Sequence, residues 1–150
     1  MRSFLISMLL FGMLYATNAK EAARELGFEN DYAAAIEKAK AEKKILVMVI
    51  VKENCRWCDK LLTRTLSDPE VRNELKNYIT LVIDRDDEFP KKFKENFFPS
   101  MFYIDYSSQK SIYENIGYVG KKCFLNDLRD SIEIRNELYK IENMQSTESL

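Results

Sequence analysis

The stretch ILVMVIVKENCRWCDKLL (residues 45–62) runs an unbroken apolar segment into two cysteines, Cys55 and Cys58, set in a Cys-x-x-Cys spacing. Ile45 to Val51 contains no polar residue and several β-branched ones, the pattern of a central strand covered on both faces, as in a parallel sheet. Beyond the cysteines, Cys58, Leu61, Thr65 and Leu66 keep helical spacing, so the motif falls at a strand-to-helix junction. The first turn of a helix has free N–H groups and the positive end of the dipole, which stabilise a thiolate at Cys55. Arg56 adds a positive charge, and Cys58, one turn further in, is placed to reach the same sulfur.

Working outward, Asn30-Asp31 can cap a helix on which Phe28, Tyr32, Ile36 and Ala39 recur at helical spacing. That helix ends in the charged run Lys38 to Lys44, a solvated face. On the other side of the motif, Ser67-Asp68-Pro69-Glu70 reads as a capping box with proline in the first turn, opening a short helix through Val71 and Leu75. Ile79 to Ile83 and Met101 to Asp105 read as strands, with a short helix over Lys91 to Asn96 between them. Tyr106-Ser107-Ser108 turns the chain into a hairpin partner, Ser111 to Gly117. A last helix from Lys121 turns Phe124, Leu125, Leu128 and Ile132 inward. The order α-β-α-β-α-β-β-α predicts an α/β fold, a central mixed sheet flanked by helices on both faces. With 150 residues, no internal repeat and no linker, one domain is expected.

The chain is 46% hydrophobic and 31% charged with a formal net charge of -1, a globular composition without the basic surplus of a nucleic-acid binder. Met1-Arg2, the apolar run Phe4 to Ala16 and the small residues ending at Ala19 have the form of a secretory signal over residues 1–19, with Lys20 as the first mature residue. The run is shorter than the roughly 20 residues a membrane span needs, so no stable insertion is expected once the signal is removed. Retention of the segment as an anchor, and no export with the segment a core helix, are the alternatives. No cysteine lies near the junction for lipid attachment.

Histidine is absent. That excludes a Ser-His-Asp triad, a Cys-His nucleophile pair, histidine-ligated zinc and c-type haem attachment, where Asp59 stands in place of the required histidine. A four-cysteine metal site fails as well, since Cys123 is the only further cysteine, and neither a metal nor another cofactor is expected. A structural disulfide is an alternative, but a bridge closing so short a loop removes little unfolded-state entropy. The weight falls on redox chemistry at Cys55 and Cys58, with Cys123 a semi-buried filler on the polar side of the last helix.

The strand entering "NCRWCDK", followed by "FFPSMFYID", resembles the thioredoxin superfamily over about Phe28 to Ile132. Within it the chain is similar to an exported thioredoxin-like branch, through "DYAAAIEKAKAEKKILV", "SDPEV" and "GYVGKKCFLNDL"; the C-terminal domains of bacterial membrane electron-relay proteins carry a similar "SDPEV" element. The resemblance implies a thioredoxin-like domain over residues 20–143 followed by a flexible tail, 144–150. It implies Cys55 as an exposed nucleophile, Cys58 as the resolving thiol, and Pro99 as a cis-proline facing them after Phe98. Trp57 and Phe98 would then belong to the substrate-facing surface, beside a backbone to which a substrate strand adds. The chain departs from typical thioredoxins at Val49, where they carry a buried acid, and in the Arg-Trp dipeptide between the cysteines. Glu53 is a candidate substitute acceptor through water, or simply an exposed loop carboxylate.

The function these features imply is an exported, periplasmic thiol:disulfide oxidoreductase. Its partners would be protein thiols or disulfides and a membrane electron-relay protein. A thioredoxin-fold binding or chaperone-like module with little turnover is the alternative, and an electron-transfer component dedicated to one partner is a third possibility.

Overall fold

The structure, a computed structural model, describes residues 18–148. Except for its last two residues, the expected signal segment therefore lies outside the described residues. The elements in chain order are α1 (Ala19–Leu26), α2 (Tyr32–Glu42), β1 (Leu46–Val51), α3 (Arg56–Lys60), α4 (Pro69–Glu74), β2 (Ile79–Asp84), β3 (Ser100–Ile104), β4 (Ser111–Ile116) and α5 (Lys121–Glu148). A π-helical stretch, Leu61–Leu66, continues α3, and single 3-10 turns follow α4 and precede β3 at Lys91–Phe93.

Helix α1 has no counterpart in the sequence reading, which assigned its start to the signal junction. Asn18 caps it, its side-chain oxygen accepting from the Lys20 amide at 2.9 Å, and Ala19, Ala22, Ala23 and Leu26 form one buried stripe. Gly27 closes the helix at φ 68°, a conformation glycine adopts without strain. The chain then lies along the edge of β2: the Glu29 amide donates to the Thr80 carbonyl at 2.9 Å, and the Val82 amide donates to the Glu29 carbonyl at 3.0 Å. Phe28 thus belongs to this edge and packs with α1, not on the inner face of α2 as its spacing implied. Asp31 caps α2 by accepting from the Ala34 amide at 2.7 Å, while the Asn30 side chain reaches across to donate to the Val82 carbonyl.

The sheet has the order β2-β1-β3-β4. β1 is parallel to β2 and antiparallel to β3, which is antiparallel to β4. All six residues of β1 are buried, as an unbroken apolar run requires. Alternation sends Val47, Val49 and Val51 into one layer with α1, α3 and α5, and Leu46, Met48 and Ile50 into the other with α2 and Phe93. The mixed sheet with helices on both faces is the architecture the sequence predicts.

Several details differ from expectation. Asp68, not Ser67, caps α4, accepting from the Glu70 and Val71 amides, while the Ser67 hydroxyl donates back to the Leu62 carbonyl. The region read as a helix over Lys91 to Asn96 is only a 3-10 turn, and β3 is shifted one residue earlier than predicted. On α5, Phe124, Leu128 and Ser131 face inward, whereas Ile132, at the margin of the stripe, is 37% exposed. Helix α5 continues to Glu148, through much of the stretch expected to form a tail. Asp105, at the end of β3, anchors the hairpin to α5, accepting from the Ser108 amide at 2.7 Å and from Arg135 Nε at 3.0 Å.

Candidate active site

At the C-terminal end of β1 the chain must turn sharply into α3. Asn54, at φ 55°, supplies the left-handed residue, a conformation asparagine tolerates better than most side chains. Cys55 then becomes the N-cap of α3, with its Sγ accepting from the Cys58 amide at 3.2 Å. A sulfur takes the place that an oxygen fills in most helix caps, so charge on Cys55 is met by the helix terminus. Cys55 and Cys58 are joined by a disulfide.

Neither cysteine is widely open. Cys58 is 1% exposed, and Cys55 is 7% exposed, more recessed than the exposed nucleophile the resemblance implies. From the far side Phe98 and Pro99 close on the pair. The Phe98-Pro99 peptide is cis, Pro99 is buried, and the Phe98 carbonyl oxygen lies 3.8 Å from Cys55 Sγ. The Pro99 carbonyl accepts from the Gly117 amide at 2.8 Å, which ties this segment to the start of the loop after β4.

That loop contributes a residue the sequence reading missed. Tyr118 stacks on Trp57 with ring centroids 5.7 Å apart, and Trp57 is 50% exposed. The Thr65 hydroxyl holds the loop in place by donating to the Val119 carbonyl at 2.8 Å. No local pattern marks Tyr118; only the return of β4 beside β3 brings it to the motif. Phe97, 71% exposed, extends the aromatic surface on the Phe98 side.

Val49 is fully buried in the same layer as both cysteines, so no carboxylate occupies its position. Glu53 is exposed and forms no hydrogen bond or ion pair among the described residues. Cys123, read as a semi-buried filler, is exposed in the first turn of α5. Among the described residues no cluster of three or more metal-ligating side chains occurs, and no helix is long and apolar enough to cross a membrane.

A comparison with known families matches residues 32–132 to the thioredoxin-like domain. The chain belongs to the thioredoxin-like family. Among solved structures, a thioredoxin from Thermus thermophilus superposes with a TM-score of 0.62 at 19% identity, over 69% of this chain and 85% of that one. The C-terminal domain of Neisseria meningitidis DsbD in its oxidised form gives a TM-score of 0.56 at 19% identity, over 69% and 98%. A protein described as DsbH oxidoreductase gives 0.55 at 17% identity, over 70% and 83%. At such identities the structural likeness establishes the fold. No curated protein sequence matches the chain. Helix α1 precedes the matched region and packs against the same core. Membership of the thioredoxin-like family together with the joined Cys55–Cys58 pair makes the chain a thiol:disulfide oxidoreductase.

Proposed function

We infer that this thioredoxin-like oxidoreductase is exported to the periplasm and exchanges disulfides with protein substrates, with Cys55 as nucleophile and Cys58 as resolving thiol. The observation that carries the assignment of roles is the asymmetry of the pair: Cys55 Sγ accepts the Cys58 amide and faces the Phe98 carbonyl, whereas Cys58 is packed beneath it. Export rests on the apolar run at the N-terminus followed by small residues.

In the reducing direction the Cys55 thiolate attacks one sulfur of a substrate disulfide. That S–S bond breaks, a mixed disulfide to Cys55 forms, and the released substrate thiolate takes a proton. Cys58 then attacks Cys55 Sγ, giving the Cys55–Cys58 disulfide and a second substrate thiol, two electrons having passed to the substrate. The oxidising direction is the reverse. Trp57 and Phe98 flank the recessed sulfur, and Pro99 holds the backbone against which a substrate strand lies. A membrane electron-relay protein would restore the pair after each turnover.

The test is a redox titration of the protein in dithiothreitol buffers, with thiols counted by alkylation and mass and a Cys123→Ser variant in parallel. A reversible two-electron transition confined to Cys55 and Cys58, in a protein that stays folded, is the expected result. A pair that resists reduction until the fold is lost would leave a binding module in place of the enzyme, with the exposed Trp57 and Phe97 as its contact surface.

A further inference from the structure

Two aromatic platforms flank the recessed sulfur, and each carries two cations. On the side of the loop after β4, the Lys60 ammonium sits 5.0 Å from the Trp57 ring centroid and 4.6 Å from that of Tyr118, and the Arg56 guanidinium lies 6.0 Å from Trp57. On the side of β2, the opposite edge of the sheet, Lys52 and Arg85 lie 6.0 Å and 5.6 Å from the Phe98 centroid. All four cations are exposed.

Lys52, Arg56 and Lys60 make no salt bridge among the described residues, although Glu53 and Asp59 lie in the same stretch of chain. Arg85 pairs only with Asp86, at 3.3 Å between two well-exposed side chains, an arrangement worth about 0–1 kcal/mol and readily exchanged. Elsewhere on the surface cations do find carboxylates, as Lys121 does with Asp68 and Glu70 and Lys38 with Glu29. Stacking on a ring face holds a cation in place and leaves its outer N–H groups free for an anion. The chain as a whole is nearly neutral, so the unpaired Arg56 and Lys60 are a local feature; on the Phe98 side Lys52 is unpaired too, but Arg85 meets Asp86, and Glu53, Asp84 and Asp87 line the same hollow.

We propose that the protein substrate or redox partner of this oxidoreductase carries acidic side chains beside its reacting cysteine, received by Arg56 and Lys60 on the Trp57–Tyr118 platform. The proposal rests on the oxidoreductase reading above and specifies its partner. An extended acidic segment laid beside Phe98 brings its cysteine to Cys55 while its carboxylates on the Trp57 side meet Arg56 and Lys60. Complementarity of this kind acts first on the rate of encounter and on the choice of partner.

The experiment follows oxidation of the reduced protein by three disulfides, with acid quenching, alkylation and mass readout. Two are peptide disulfides identical except for glutamate or lysine on either side of the cysteine; the third is uncharged bis(2-hydroxyethyl) disulfide. At low ionic strength the glutamate peptide should react about tenfold faster than the lysine peptide. The gap should collapse in 0.5 M salt, where screening acts over roughly 3–5 Å. In Arg56→Glu/Lys60→Glu the preference should shrink or reverse. Equal rates for the two charged peptides, with the uncharged disulfide reduced normally, would overturn the proposal and leave the enzyme standing. Failure of all three disulfides to react would overturn the oxidoreductase reading, and this proposal with it. The peptide comparison needs only the unaltered protein and so stands even if the charge-reversed variant does not fold.

Discussion

Removing Cys58 as Cys58→Ser leaves Cys55 as a single thiol at the end of α3 and keeps the residue-58 amide that donates to its sulfur at 3.2 Å. A hydrogen bond to a charged acceptor is worth about 1.5–3 kcal/mol, and the positive end of a helix adds about 0.3–1 kcal/mol. Burial of a sulfur only 7% exposed opposes both, so a net thiolate stabilisation of about 2 kcal/mol is a reasonable balance. That corresponds to about a 30-fold larger thiolate population at pH values below the ordinary thiol range. A stabilised thiolate is also a weaker nucleophile, here by about fivefold. A cysteine in a short unstructured peptide serves as the standard, because Cys123 itself lies in the first turn of α5 beside Lys121 and Lys122. With iodoacetamide and mass mapping, Cys55 should be alkylated about sixfold faster than the peptide cysteine at pH 6 and about fivefold slower at pH 10, before any correction for access. Restricted access to the recessed sulfur lowers both ratios equally and cancels in their quotient, which should be about 30. A ratio of Cys55 to the peptide cysteine that does not change between the two pH values would refute the claim that the helix terminus holds charge on Cys55.

Asp105→Ala should cost about 3–5 kcal/mol in urea unfolding, because it leaves the partly buried Arg135 unpaired and removes the acceptor of Ser107 and Ser108. Burial alone would raise the Asp105 carboxyl, but hydrogen bonds from Ser107, Ser108 and Arg135 outweigh it and hold the group well below the usual carboxylate range. Its contribution is therefore complete above about pH 4 and is lost as the pH falls toward the folded-state value, so the deficit of Asp105→Asn should narrow in acid. Asp127 has the opposite sign: burial raises its carboxyl against the hydrogen bonds from Tyr113 and Asn115. Its ionised form weakens the fold, an effect that disappears as the pH falls through the raised value, so Asp127→Asn should match or exceed the parent at pH 7 and lose that advantage toward pH 4, measured by the same unfolding assay. Tyr118→Ala should remove about 0.5–1.5 kcal/mol of ring stacking and shift the emission of Trp57, the sole tryptophan, to the red as it becomes more hydrated.

The parts of the fold legible in the sequence were those in which one local pattern determines one element. An apolar run such as Ile45 to Val51 has few places to go except the centre of a sheet, and a Cys-x-x-Cys after it marks the site at once. Helix α1 escaped because its alanine stripe overlaps the small residues that a signal junction also needs, and composition alone does not separate the two. Tyr118 and Arg85 escaped for a different reason. Each reaches the site from the end of a strand on an opposite edge of the sheet, and their meeting with Trp57 and Phe98 is a consequence of strand order. Ile132 was misplaced because helical periodicity gives a direction for a side chain but not how much of the helix face the rest of the fold covers.

The replacement of a buried acid by Val49 changes how the second half of the exchange must balance its proton. Cys58 is 1% exposed and Val49 fully buried, both sulfurs pack in the same apolar layer, and Glu53 forms no hydrogen bond. No carboxylate hydrogen-bonds either sulfur, while the Cys58 amide serves Cys55 alone. In the proposed exchange the charge of the reduced pair is assigned to Cys55, and Cys58 takes part as a thiol. When Cys58 attacks the mixed disulfide, one thiol is consumed and one thiol, that of the substrate, is released, so the proton can pass from Cys58 to the departing sulfur without a protein acid taking it up. The rate of this step then depends on the ionisation of Cys58 and of the substrate thiol rather than on a carboxylate of the fold. A partner whose leaving sulfur sits beside Arg56 and Lys60 brings its developing negative charge to the place where this chain has unpaired cations to meet it.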